Sequence, residues 1–288
     1  MNPAEVFTAC AVPGAEAERL MTRLRPDAPE DWRALAAAMA LHLTPDTCRV
    51  LGVAGGQGAG KSTLSRLLEQ AFRLQGVKLL VLSLDDFYLT HDERLVLGRR
   101  EHPLLATRGV PGTHDVERLG DTVEAVFKPG PHRLPVFDKG ADDRAPEPVW
   151  FEGPADMVVI EGWCVGVLPQ SDEQLREAVN ALERQEDPEG RWRGYVNDCL
   201  STSYVRLWAQ IDKLLFLAVP DIEAVMRWRG QQELERPQAQ RMDEQQIRNF
   251  VGHYQRLTEW MLETLPGKAD FVGFLDANHR LESIQRRI

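Results

Sequence analysis

The sequence predicts an α/β fold of three layers, with a mainly parallel sheet between two layers of helices. Three observations carry the prediction. First, five short runs are almost continuously apolar: Arg49–Ala54, Val77–Ser83, Ala155–Trp163, Ile211–Val219 and Ala269–Asp276. Strands covered on both faces of a parallel sheet read this way. Second, segments with apolar residues at helical spacing lie between those runs, as parallel crossovers require. Third, the first run passes through a glycine-rich loop directly into a helix.

The bulk numbers are consistent with this class and exclude others. A length of 288 residues suits one large α/β domain or two small ones. Apolar residues make up 43% and charged residues 27%, which is ordinary for a water-soluble chain. The formal net charge of −10 disfavours nucleic acid, and no basic run is interleaved with aromatics. Cys10, Cys48, Cys164 and Cys199 are far apart and are read as reduced thiols, which fits a cytoplasmic protein. Met1–Glu5 lacks the basic start of a signal peptide. The longest apolar run, Ala34–Leu43, is too short to span a bilayer, so no membrane partner is expected. The sequence carries no signal for an oligomeric state.

Residues 1–46 are expected to form a helical extension packed on the core, residues 47–288. Helical spacing is visible over Ala15–Leu24 and again over Asp31–Leu43, after a break at Pro26 and Pro29. No chemistry is visible there.

The core opens with the glycine-rich loop. Gly55, Gly56, Gln57, Gly58, Ala59, Gly60, Lys61, Ser62 and Thr63 fit and flank the pattern G-x-x-x-x-G-K-[ST]. A strand precedes the loop, and a helix follows from Ser62 to about Leu74, ended by Gly76. In that context the pattern is a phosphate-binding P-loop, and the core is that of a P-loop NTPase. Glycines let backbone N–H groups close on an anion, and the helix N-terminus adds a favourable dipole. All nine residues are candidates for binding ATP. Lys61 is expected to reach the β/γ-phosphates, and the Ser62 hydroxyl to hold Mg²⁺.

The second strand ends in Leu84–Thr90, where Asp85 and Asp86 stand at its carboxyl edge. Ligands of open α/β sheets lie beyond that edge. An attacking hydroxyl must lose its proton, and Asp85, first off the strand, is the candidate base. Asp86 could orient the loop, cap the next helix or reach Mg²⁺ through water. Asp86 and Tyr88 are kept as acceptor-side candidates.

Two loops follow. Glu101–Asp115 is rich in glycine, proline and polar residues and opens the helix Val116–Phe127. Arg108 can grip an anionic group bidentately. His114 is either an acceptor ligand or a loop histidine satisfied by its neighbours, and Thr113 or Asp115 caps the helix. In Pro131–Arg144, Leu134–Phe137 reads as a short strand, and Lys139 and Arg144 are candidates to face a negatively charged acceptor.

The third core strand ends in Glu161, where the second carboxylate of a P-loop site helps to hold the Mg²⁺ shell. Residues 165–210 then read as an inserted helical lobe, with a helix over Gly194–Gln210. The fourth strand leads through Asp221 into the helix Ile222–Glu233, which carries Arg227 and Arg229. Basic residues after a late strand suit a lid, here 227–242, that closes cations over the phosphates. An i,i+4 ion pair of Arg229 with Glu233 on a surface helix is the simpler alternative. Met242–Leu265 is a long helix, Ala269–Asp276 the last strand, and the turn Ala277–His279 is open to contact with the nucleotide base.

Several blocks together resemble one family. Ser83–Thr90, Arg108-Gly109, Gly112–Asp115, Pro135–Lys139, Val159–Trp163 and Arg227–Arg229 are similar to the plant-type D-glycerate 3-kinases and their bacterial and fungal relatives. These are P-loop kinases related to uridine kinase, phosphoribulokinase and pantothenate kinase. The resemblance covers about residues 48–276. It implies transfer from Mg²⁺-ATP to D-glycerate, giving 3-phospho-D-glycerate, with the first aspartate of the block, Asp85, as base. The chain departs from the family's Arg-Gly-Asn at Val110 and from its Asp-Lys-Ser at Gly140. Both departures lie in the acceptor loops.

Two other readings compete. One is a kinase of the same fold for a nucleoside, pantothenate or a similar acceptor. The other is a nucleotide-dependent regulator. Against the regulator, no N-K-x-D motif is present, Gly267–Asp270 being only partial. The Asp187–Gly190 match to D-x-x-G lies in the polar insertion, away from a core strand.

Overall fold

The alternation hidden inside the apolar runs explains how the sheet is covered. The computed structural model describes residues 1–234 and 241–287. The chain begins with helices α1 (Pro3–Ala9), α2 (Gly14–Met21) and α3 (Glu30–His42), then enters strand β1 (Val50–Gly55) and helix α4 (Lys61–Leu74). Strand β2 (Leu79–Ser83), α5 (His91–Arg100) and α6 (Val116–Ala125) follow. Short strands β3 (Gly130–Leu134), β4 (Phe137–Asp138), β5 (Asp143–Arg144) and β6 (Val149–Gly153) precede β7 (Met157–Gly162). Helices α7 (Asp172–Arg176), α8 (Ala181–Glu186), α9 (Arg191–Cys199) and α10 (Val205–Trp208) lead to β8 (Lys213–Ala218). The chain closes with α11 (Ile222–Leu234), α12 (Glu244–Thr264), β9 (Phe271–Leu275) and β10 (Leu281–Arg286).

The main sheet has the order β10-β9-β8-β1-β7-β2, parallel except for β10. Every residue of β1 and β7 is buried. Alternate side chains enter opposite layers. Leu51, Val53, Val159, Leu215 and Leu217 pack with α1–α4 and α11. Val50, Ala54, Val158, Ile160, Phe216 and Ala218 pack with α6, α9, α10 and α12. Period-two alternation therefore persists in strands that look uniformly apolar, because both faces are covered.

Several expectations change. Ala269–Asp276 is not the last strand, since β10 adds an antiparallel edge beyond it. Only Leu281 of β10 is buried and a register shift follows it, so the strand has no clean alternating signature. Leu134–Phe137 is not one strand either. Leu134 ends β3, which pairs with β6, and Phe137 starts β4, which pairs with β5. Pro135 lies between them and cannot donate to a ladder. Within the helix expected over Gly194–Gln210, a π-helical turn at Leu200–Tyr204 joins α9 to α10. No helix among the described residues is long and apolar enough to cross a membrane. All four cysteines are free thiols.

Candidate active site

Parallel strands deliver their carboxyl ends to one edge of the sheet, and the site assembles there. The register sets Val53 of β1 and Ser83 of β2 level with Glu161 of β7. One cavity of about 720 Å³ opens at this edge. Gln57, Gly58, Gly60, Lys61, Ser62 and Thr63 line it, as do Asp85, Tyr88, Arg108, Lys139, Glu161 and Arg229.

Close packing shapes the P-loop. Gly58 and Gly60 have φ of +79° and +85°, which side-chain-bearing residues rarely adopt. A β-carbon at Gly60 would sit 3.1 Å from the Trp32 ring, and one at Gly58 3.2 Å from Trp228. No side chain caps the start of α4, so its first N–H groups are left for an anion. Lys61 Nζ donates to the carbonyls of Gly55 (2.8 Å) and Gly56 (3.0 Å). Burial pushes the Lys61 ammonium below its usual pKa, against the pull of Glu161 and Asp85. Gly55, Gly56 and Ala59 form the base of the loop and do not line the cavity.

Ser62 Oγ donates to Glu161 Oε1 at 3.2 Å, and Glu161 is only 6% exposed. This pair of hard oxygen donors beside the phosphate loop suits Mg²⁺, which takes few protein ligands and shares the rest with water and phosphate.

The acceptor side is held by hydrogen bonds and ion pairs. Asp85 lies in a 3₁₀ turn, Leu84–Phe87, just off β2. Lys139 Nζ donates to Asp85 Oδ2 (2.6 Å), and the Tyr88 hydroxyl donates to Oδ1 (3.2 Å). Burial opposes the Asp85 charge, but Lys139, with smaller help from His114 and Lys61, outweighs it. The carboxyl is held below its usual range. Arg108 pairs with Asp142, which is also held by Arg94 (3.0 Å) and His91 (3.2 Å).

Four residues expected to meet ligand are placed elsewhere in the structure. Arg144 does not reach the cavity. It donates to the Tyr88 carbonyl (2.9 Å) and to Asp115 (3.0 Å), and so fixes the loop. His114 stacks behind Tyr88 with ring centroids 4.3 Å apart, and its Nδ1 lies 2.7 Å from the Tyr204 hydroxyl. Burial lowers its pKa to about 4, so it stands neutral behind Tyr88, outside the cavity lining. Asp86 accepts from the Phe137 N–H (3.1 Å) and orients β4. Arg227 is exposed and lies outside the cavity lining.

Arg229 does line the cavity, and it also makes the i,i+4 ion pair with Glu233 (2.5 Å). The segment 235–240 of the expected lid, with Arg236 and Pro237, lies outside the described residues. Asp115, not Thr113, caps α6, accepting from Arg118 N–H. Thr113 instead donates to the Val110 carbonyl (2.7 Å). Neither Val110 nor Gly140, the two departures from the family pattern, lines the cavity. Cys164 is fully buried, and burial pushes its thiol far up, so it is a packing residue.

Sequence reasoning missed the clamp over the P-loop. Trp32 Nε1 donates to the His279 carbonyl (2.9 Å), and Trp228 Nε1 to that of Ala277 (2.8 Å). His279 stacks on Trp228, with its Nδ1 3.0 Å from the Gly58 carbonyl. Asn278, His279 and Arg280 thereby join the cavity lining. Nothing local signals this, because Trp32 and His279 are 247 residues apart.

Comparison with known proteins gives the family. No family model matches the chain. It is 34% identical over 232 residues to the uncharacterized kinase mug58 of Schizosaccharomyces pombe, covering 76% of this chain and 83% of that protein. It is 31% identical over 231 residues to the chloroplastic D-glycerate 3-kinase of Arabidopsis thaliana, covering 75% of this chain but only 48% of that one. The solved structure of D-glycerate 3-kinase from Cryptococcus neoformans superposes with a TM-score of 0.70 at 26% identity, covering 98% of this chain and 99% of that chain. With the P-loop, Asp85 and Glu161 on one sheet edge, these similarities show that the chain belongs to the kinase family of mug58 and the D-glycerate 3-kinases.

Proposed function

We propose that this kinase transfers the γ-phosphoryl group of ATP to D-glycerate, giving ADP and 3-phospho-D-glycerate. The observation that carries this reading is one cavity holding the half-buried P-loop lysine, a carboxylate just off β2, and two cations, Arg108 and Lys139, suited to an anionic acceptor. The similarity to D-glycerate 3-kinases over most of the chain supports the choice of acceptor. That neither family departure lines the cavity supports it further.

Each residue then has a task. Gly58–Thr63 hold the phosphates through backbone N–H groups, and Lys61 meets the β/γ oxygens. Arg108 and Lys139 bind the acceptor carboxylate and set the hydroxyl over Asp85. Asp85 takes the hydroxyl proton as the new P–O bond forms and the bond to the β-phosphate oxygen breaks. Ser62 and Glu161 would hold Mg²⁺, which neutralises charge on the phosphates when bound. Arg229 lines the same cavity and adds positive charge there, partly offset by Glu233.

The test is ADP release from Mg²⁺-ATP with D-glycerate, L-glycerate, glycerol, pantothenate or uridine. D-glycerate should give the highest kcat/KM. Preference for uridine or pantothenate would move the chain to a kinase of the same fold with another acceptor, and no acceptor-dependent release would remove the proposal.

A further inference from the structure

Asp85 has a partner on each carboxylate oxygen, the Tyr88 hydroxyl on Oδ1 and the Lys139 ammonium on Oδ2. Each oxygen keeps a second lone pair, but a carboxylate held by an ammonium is a weaker proton acceptor. The two partners differ in character. Tyr88 is buried and stacked on His114, so its hydroxyl is fixed. The Lys139 side chain is 62% exposed and reaches Asp85 from the turn between β4 and β5.

The backbone of that turn is anchored, although its lysine is not. Phe137 N–H donates to Asp86, and the N–H groups of Gly140 and Ala141 donate to Asp138. Asp142 is gripped by Arg94 and Arg108. The ammonium can therefore swing on its flexible stem while the turn stays in place. The lysine side of this pair is exposed, so a competing anion can reach and displace it. Such an anion would meet Arg108 at the same moment, because Arg108 lines the same cavity and its Nη2 donates to the Lys139 carbonyl (3.4 Å).

We propose that Lys139 guards the base: it occupies Asp85 until an anionic acceptor draws it away, and so suppresses phosphoryl transfer to water and to neutral alcohols. The proposal rests on Asp85 acting as base. The suppressed reaction is ordinary ATP hydrolysis. Water attacks the γ-phosphorus, its proton passes to Asp85, the bond to the β-phosphate oxygen breaks, and ADP and phosphate leave. A neutral alcohol offers the lysine nothing in exchange for Asp85. A carboxylate does, and its arrival frees the base while the hydroxyl is in place.

The test uses the full chain with Mg²⁺-ATP and follows ADP release without acceptor, with D-glycerate and with glycerol. Lys139→Met should raise acceptor-free release about tenfold, a modest part of what a general base supplies. The preference for D-glycerate over glycerol should shrink. Lys139→Arg, which keeps a cation on Asp85, should raise acceptor-free release less than Lys139→Met does. Adding Asp85→Asn to Lys139→Met should abolish the gain. Acceptor-free release at or below the parent level in Lys139→Met overturns the guard, as does a gain that survives Asp85→Asn. Lys139→Gln repeats the measurement should the methionine variant fold poorly. Asp85→Asn alone separates the two ideas. If it turns over D-glycerate normally, the base assignment itself falls. If it is inactive and Lys139→Met is silent, only the guard falls.

Discussion

The two ends of the cavity are built differently. At the donor end, the P-loop is shaped by backbone conformation and close packing. Gly58 and Gly60 lie under Trp228 and Trp32, and those indoles fix the turn 276–280 by donating to its carbonyls. At the acceptor end, the polar groups meet side chain to side chain: Asp85 with Lys139, and Arg108 with Asp142. The phosphate loop has one shape to keep, so packing suits it. On the proposed function the Asp85–Lys139 pair would open when an acceptor arrives, and an exchangeable ion pair suits that.

The largest test of this contrast removes the proposed base. Asp85→Asn should lower kcat by about 10²–10⁴-fold and leave nucleotide affinity unchanged. A titration with a fluorescent ATP analogue beside steady-state turnover measures both. A parallel loss of nucleotide affinity would mean that the two ends are not separable.

The wall behind Tyr88 gives a pH test. The folded-state pKa of His114 is depressed from 6.5 to about 4 by burial. Protonation therefore favours the unfolded chain. The contribution is complete above pH 6.5 and is lost as pH falls through that window toward 4. The shift corresponds to on the order of 3 kcal/mol. Denaturant unfolding at a series of pH values should show this slope, and His114→Gln should flatten it. An unchanged slope in the variant would place the acid sensitivity elsewhere.

Next in size is the acceptor grip. Arg108→Ala should raise the KM for D-glycerate roughly tenfold to a hundredfold, the range for losing a charged hydrogen bond. The KM for ATP should hardly move. Equal changes in both would argue that Arg108 supports the whole site through Asp142 rather than binding the acceptor.

The smallest effect is expected at the donor end. Gly60→Ala puts a β-carbon against the Trp32 ring at a φ of +85°, at a cost of about 1–3 kcal/mol. Thermal unfolding should show a midpoint lowered by several degrees. Adding Trp32→Phe should recover only the steric share. No shift at all would show that the loop is softer than its packing suggests.

How much was legible follows from the same contrast. That Lys61, Ser62, Asp85 and Glu161 stand together at one sheet edge could be read because strand, loop and polar residue are consecutive in the chain. Arg144, His114 and Asp86 sit in equally suggestive stretches, yet each turns to a protein partner: Tyr88 and Asp115, Tyr204, and the Phe137 N–H. Nothing local tells a side chain aimed at a ligand from one aimed at a neighbour. The clamp of Trp32 and Trp228 was invisible because its partners come from the far end of the chain.

The sequence by itself determined the layered α/β core, the P-loop and the strand ends where the carboxylates stand. Those properties depend on periodicity and on backbone preference, which act over a few residues. Only the tertiary structure decided which cations reach the cavity, that Lys139 lies on Asp85, and that an antiparallel strand closes the sheet after β9. Those outcomes depend on partners brought together from distant parts of the chain, and hydrogen bonds and ion pairs form with whatever group folding puts within reach.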